Sequence, residues 1–136
     1  MELTAEILIP GEAVSASCLA LTAPISFWGG VDPKTGLIID ARHPQRGASI
    51  AGTVLALPGT IGSSSASAVL LELVHAGKAP AAILMDAPDA ILLLGIIVAR
   101  EMGWQAPPAL RFPAERQQAL AGRRLTLSAS GAITVN

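Results

Sequence analysis

Ten residues, Pro58-Gly59-Thr60-Ile61-Gly62-Ser63-Ser64-Ser65-Ala66-Ser67, constrain this chain more than any others. They separate the apolar run Thr53–Leu57, which reads as a strand, from Ala68–Ala76, where Val69, Leu70, Leu73 and Val74 fall at helical spacing. Glycines in such a turn permit backbone angles that other residues avoid, and they let another molecule approach the main chain. Ser63 is placed as the N-cap, its hydroxyl accepting from an amide in the first turn of the helix. The unpaired amides and the positive dipole end there suit an anion. A lone Gly-Ser turn is commonly a capped turn and nothing more. Four serines within five positions point instead to a site.

The flanking segments give the class of fold. Leu3–Ile9 and Ala13–Leu21 alternate and read as two strands, paired as a hairpin through Pro10-Gly11-Glu12. Phe27-Trp28-Gly29-Gly30-Val31-Asp32 follows, then Asp32-Pro33 and Thr35-Gly36, a short strand Leu37–Ile39, and the polar loop Asp40–Gly47. Ala81–Met85 is a continuous apolar run, as expected of a buried strand. Asp86-Ala87-Pro88-Asp89 reads as a helix start, with Asp86 and Asp89 as caps. Ala90–Met102 is apolar nearly all round, so that helix is expected to be buried or docked on a partner. Gly77 and Gly103 are placed as helix stops. Pro107-Pro108 opens an extended segment, and Arg124–Ser128 with Ala132–Val135 form a closing hairpin. Strands, then strand–helix–strand–helix, then strands again, predict one mixed α/β domain over residues 1–136, with two main helices on a mixed sheet or small barrel.

Composition narrows the function. Charged residues are 14% of the chain against 51% hydrophobic, which fits a surface that is apolar or covered. Nine basic and ten acidic residues leave a net charge of −1, without the basic footprint of a nucleic-acid binder. Two Phe, two Trp and no Tyr give little for base stacking. The single Cys18 excludes an internal disulfide and a self-contained thiolate cluster, and its apolar surroundings predict a buried, inert thiol. The start Met1-Glu2-Leu3-Thr4 lacks the basic region of a signal peptide, and Ala90–Ala99 is too short to span a bilayer, which takes roughly 20 apolar residues. A soluble, cytoplasmic protein that binds neither membrane nor nucleic acid is expected.

Three stretches together resemble a known family. They are Phe27-Trp28-Gly29-Gly30-Val31-Asp32, then Thr35-Gly36 with Asp40, His43-Pro44 and Gly47, and lastly Gly62-Ser63-Ser64-Ser65 ahead of a helix. The chain resembles the small subunit of aconitase X, the swivelling domain of a dehydratase group related to aconitase, from its first strand through Met102. The resemblance implies a swivelling β/β/α domain working with a large subunit that carries most of the active site and an iron–sulfur centre; no cofactor is expected on this chain. It implies dehydration of a hydroxy acid, cis-3-hydroxy-L-proline or else 5-phosphomevalonate. Ser63 then matches the family's proton-accepting serine, with Ser64 and Ser65 orienting substrate. Trp28, Gly29, Gly30, Arg42 and His43 are further candidates for substrate binding. In classical aconitases an arginine follows the two serines; Ser65 stands here, so anion recognition falls to Arg42, Arg46 or the partner.

Plainer readings stand beside these. His43 before Pro44 can fix a turn, His75 can offset a helix dipole, Asp32 can shape an Asx turn, and Trp28 can anchor an interface. Arg123 and Arg124 read as a solvated pair. Two other functional classes remain open: a non-catalytic ligand-binding or scaffold module, and a phosphocarrier. A phosphocarrier wants a histidine beside the glycine–serine turn, and none follows Gly62. Two lysines against seven arginines, with abundant alanine, hint at a GC-rich genome and favour the bacterial hydroxyproline substrate.

Overall fold

Val54–Leu57 (β4) and Ala82–Met85 (β5) are buried along their whole length, the pattern of strands covered on both faces. In the computed structural model, which describes residues 2–136, they lie side by side and parallel at the centre of an eight-stranded mixed sheet. The other strands are β1 (Glu2–Thr4), β2 (Glu6–Ile9), β3 (Val14–Ala20), β6 (Ala109–Arg111), β7 (Arg124–Leu127) and β8 (Ala132–Val135). Their order is β1-β8-β7-β3-β4-β5-β6-β2, with β3 to β6 mutually parallel and the remaining pairs antiparallel.

The strands at the two ends of that order are consecutive in the chain, separated by Ala5 alone. One bent strand therefore gives its first half to β8 and its second half to β6, and the sheet closes on itself. The bend is held by the Ala5 amide, which donates to the Gly131 carbonyl at 2.9 Å. Gly131 has φ +92°, and a Cβ there would lie 2.5 Å from the Ala5 carbonyl oxygen, so the corner requires glycine. The hairpin expected between Leu3–Ile9 and Ala13–Leu21 is not formed. Those segments pair instead with strands from the far end of the chain and with β4. The closing hairpin β7–β8 forms as expected.

Alternate residues of the central strands enter two cores. Val54, Ala56, Ala82 and Leu84 face the inside of the closed sheet with Cys18, Phe112 and Leu125. Leu55, Leu57, Ile83 and Met85 face the helices α2 (Ala66–His75) and α3 (Ala90–Glu101). Both helices end in Schellman motifs: Lys78 N–H bonds Leu73 O and Gly77 N–H bonds Val74 O, and the Trp104–Ala99 and Gly103–Arg100 pairs repeat the pattern. The two helices cross closely at Gly95, where a Cβ would come within 3.0 Å of the Ser67 carbonyl. Leu92, Gly95, Ile96 and Ala99 form the buried face of α3, while Leu94, Ile97 and Met102 stay exposed.

Shorter elements complete the chain. Phe27–Gly30 (α1) is a single distorted turn, in which Trp28 and Gly29 leave helical angles. Leu37–Ile39 makes isolated bridges, Leu37 with Ser49 and Ile38 with Val31, instead of the short strand expected. Ala114–Gln117 (α4) runs into the 3-10 turn Gln118–Leu120.

Candidate functional site

Because β3, β4 and β5 are parallel, the loops that leave them emerge at one end of the sheet. These are Leu21–Gly30 after β3, Pro58–Ser65 after β4 and Asp86–Asp89 after β5, and the carboxyl ends of parallel strands are where open α/β sheets place their ligands. Backbone bonds join the loops. Ile61 N donates to Ile25 O at 3.0 Å beside an Ile25–Thr60 bridge, and Ile39 N donates to Gly30 O at 2.9 Å. Gly30 is buried against Ile25, where a Cβ would meet Ile25 Cγ1 at 3.0 Å.

The serine turn sits in the middle of this end. Ser63 and Ser65 are half-buried and Ser64 is exposed. The N-cap of α2 is Ser65, not Ser63, and its side chain makes no capping bond. Ser63 instead folds a small turn ahead of the helix: its Oγ accepts from Ser65 N at 3.2 Å, and its carbonyl accepts from Ala66 N at 3.2 Å. An amide hydrogen donated to Oγ stabilises negative charge on that oxygen, and the α2 dipole acts in the same direction. Neither Gly59 nor Gly62 has a positive φ, so the backbone does not demand glycine at either. A Cβ on Gly62 would meet nothing within 4 Å, so the space over it is open to an incoming molecule.

The other candidates divide. Trp28 is 61% exposed, its carbonyl held by Ser26 Oγ at 2.9 Å and followed by Gly29 at φ +81°. Arg42 and Arg46 are exposed on the Asp40–Gly47 loop, where Asp40 Oδ1 accepts from Arg42 N at 2.9 Å. His43 is only 6% exposed; Nε2 donates to Ala23 O at 3.0 Å and Nδ1 accepts from Gln45 N at 3.0 Å. With both ring nitrogens engaged, His43 has the geometry of a loop strut. Gln45 does similar work unsignalled by any motif, accepting from Thr22 N at 2.8 Å and donating to Ala20 O at 3.0 Å.

Plainer readings hold elsewhere. Asp32 Oδ1 accepts from Lys34 N at 2.9 Å in an Asx turn and Asp89 caps α3, whereas Asp86, expected to cap the same helix, reaches the start of α4, where its Oδ1 accepts from Ala114 N at 2.8 Å. His75 lies on the surface at the end of α2, with Trp104 5.0 Å away. Cys18 is buried, and desolvation pushes its thiol up to about 11. Among the described residues, no three His, Cys, Asp or Glu side chains converge as metal ligands, and no helix is long and apolar enough to cross a membrane.

A separate depression lies away from this end. A cleft of about 620 Å³ opens at the amino ends of β3, β5 and β6, lined by Val14, Gly77, Pro80, Arg100 and Trp104 among others. Its one cation, Arg100, is occupied with the Pro10 and Ala106 carbonyls, and no acid–base pair converges there. The serine end instead gathers hydroxyl groups, with Ser63 and Ser65 half-buried and Ser64 exposed. A surface open on one side fits a site completed by a second body.

Known proteins match both the sequence and the fold. The sequence model of the aconitase X swivel domain matches residues 2–135. The cis-3-hydroxy-L-proline dehydratase of Pseudomonas aeruginosa is 49% identical over 108 residues, covering 76% of this chain and 19% of that protein. The corresponding protein of Hypocrea jecorina is 38% identical over 122 residues, 89% of this chain and 20% of its own. The phosphomevalonate dehydratase small subunit of Methanopyrus kandleri is 42% identical over 87 residues, 64% of each chain. This chain thus spans about a fifth of the length of the hydroxyproline dehydratases it matches. The crystal structure of Thermococcus kodakaraensis aconitase X in its holo-form superposes with a TM-score of 0.85 at 29% identity, covering 100% of this chain and 98% of that one. With the matching fold, this places the chain in the aconitase X swivel domain family.

Proposed function

We propose that this domain is the small, swivelling part of an aconitase X-type hydro-lyase and that Ser63 is its proton acceptor. The observation that carries the reading is the placement of Ser63: on an open turn at the carboxyl ends of the parallel strands, its Oγ already accepting a backbone amide ahead of α2. Dehydration removes a carbon-bound proton and expels a hydroxyl. Ser63 takes the proton as an alkoxide, a form that needs exclusion of water and fixed donors to be accessible. Ser64 and Ser65, with the open main chain at Gly62, orient the substrate, and exposed Arg42 meets its carboxylate.

The acid for the departing hydroxyl comes from the partner. This chain's donor set does not fit an iron–sulfur centre, since its one cysteine is buried and, among the described residues, no three His, Cys, Asp or Glu side chains converge. The centre is therefore assigned to a large subunit, and no step on this chain runs through it. Relatives named small subunits support a separate large partner, whereas in the hydroxyproline dehydratases the matched segment is about a fifth of one longer chain. Trp28 at 61% exposure, Ile61 at 55% and Ile39 at 46% form an apolar rim on loops joined around the serine turn, as expected of a surface that a partner covers. The exposed face of α3 adds to the apolar surface.

The substrate is assigned as cis-3-hydroxy-L-proline, supported by the higher identity to the bacterial dehydratase than to the archaeal small subunits. The test is to co-express the chain with its large subunit and assay both substrates. Turnover of hydroxyproline by the complex, with neither subunit active alone, is the expected result. Full activity of the isolated chain overturns the shared site, and turnover of phosphomevalonate alone overturns the substrate.

A further inference from the structure

Thr60 lies three residues ahead of Ser63, and its hydroxyl donates to Asp89 Oδ2 at 2.7 Å, the short distance expected of a hydroxyl bonded to a carboxylate. The other oxygen of that carboxylate, Oδ1, accepts from Ile91 N at 3.0 Å and Leu92 N at 3.1 Å as the cap of α3. A single aspartate thus starts the helix after β5 and grips the turn after β4. On its other side the same stretch is fixed to the loop after β3, through the Ile25–Thr60 bridge and the bond from Ile61 N to Ile25 O. Beyond Ile61 the chain crosses Gly62, where an added Cβ would meet nothing within 4 Å, and the Ser63 bonds described above are to Ser65 and Ala66 at the start of α2. Ser63 is therefore held from two sides, by α2 after it and by Thr60 and Ile61 before it.

We propose that Thr60 is a positioning residue for the proton transfer, acting through Asp89 to hold the Ser63 turn where substrate meets it. The proposal rests on the reading of Ser63 as the proton acceptor. A base works only within hydrogen-bond reach of its proton, and a displacement of about 1 Å can cost about 10²-fold in rate. Thr60→Val keeps the shape and removes the bond; Thr60→Ser keeps the bond.

The experiment compares Thr60→Val, Thr60→Ser, Asp89→Asn and Ser63→Ala in the assembled enzyme, and follows amide hydrogen exchange of residues 62–66 in the chain itself. Thr60→Val is expected to lower kcat by about tenfold to about 10²-fold, with KM within about twofold and faster exchange across the turn. Thr60→Ser is expected to restore both. Should Thr60→Val fail to fold, Asp89→Asn decides, because asparagine caps a helix as well as aspartate but replaces the charged acceptor with an amide. Its expected result is normal melting with an intermediate loss of kcat, and wild-type kcat overturns the proposal. Wild-type turnover in Thr60→Val, where Ser63→Ala is inactive, overturns the positioning role and leaves the Ser63 reading standing. Equal losses in Thr60→Val and Thr60→Ser also overturn it, since the hydroxyl is then irrelevant. Full turnover in Ser63→Ala overturns the underlying reading and the positioning role with it.

Discussion

Ser63 Oγ accepts the amide hydrogen of Ser65 at 3.2 Å, closing a turn one step before the helix whose N-cap is Ser65. Such a bond, half-exposed, contributes about 0.5–1.5 kcal/mol, whereas a positioned base is worth about 10²–10⁴ in rate. Ser63→Ala is therefore expected to melt within a few degrees of the parent while kcat of the assembled enzyme falls by that larger factor at nearly constant KM. Ser64→Ala and Ser65→Ala are expected to raise KM or do little. Loss of turnover in Ser64→Ala with Ser63→Ala active would move the proton acceptor one residue along. Three active variants would put it on the partner.

Gly62 separates structure from function in another way. Its φ lies outside the left-handed region and its missing Cβ faces open space, so Gly62→Ala should leave stability unchanged or raise it by about 0.4–1 kcal/mol. The added methyl nonetheless stands where substrate approaches the main chain, and KM should rise several-fold. Melting temperature and KM measured on one preparation check this. Unchanged kinetics would make Gly62 a spacer.

Gly131 is the opposite case, a glycine required by the fold. Its φ of +92° and the Ala5 carbonyl beneath it leave no room for a side chain. Backbone strain of this kind costs about 1–3 kcal/mol before the clash is counted. Gly131→Ala should lower the denaturant midpoint accordingly, and added hydrogen exchange should concentrate at Ala5 and β8.

Cys18 gives the pH dependence. Burial raises its thiol from 9.0 in the open chain to about 11 in the folded one. Between those values the unfolded chain has lost a proton that the native chain keeps, so stability falls as pH climbs from about 9 to about 11 and is unaffected by this group below that window. Melting curves across pH 8 to 11 should show the fall, and Cys18→Ala should flatten it. At neutral pH the native thiol should resist alkylation until the protein unfolds.

What could be read directly was local. Asp89, Gly77 and Gly103 announce helix ends because a cap acts within one turn of its helix, and β4 and β5 show as unbroken apolar runs because both faces are covered. Strand partners were not legible. Nothing in the alternation of Leu3–Ile9 marks a bend at Ala5, and its true neighbours, β6 and β8, lie more than a hundred residues away in the chain. The serines of the turn stood out by their number. Thr60 and Gln45 did not, since the groups they bind, Asp89 and the Ala20–Thr22 backbone, become neighbours only through the fold. Helix α4 carried an overlooked sign: Pro113 just before it and Glu115 in its first turn are helix-start signals.

The bend at Ala5 also limits how anything can attach to this domain. Where the bent strand closes the sheet, the free edge runs along just three residues of β1 and four of β2. Runs that short make poor templates for an added strand, which protects the isolated chain from edge-to-edge aggregation. The same geometry leaves a partner little main chain to pair with along that edge. Docking is left chiefly to loops and helices, a kind of grip that can slide, loosen and re-form without breaking a ladder of backbone bonds.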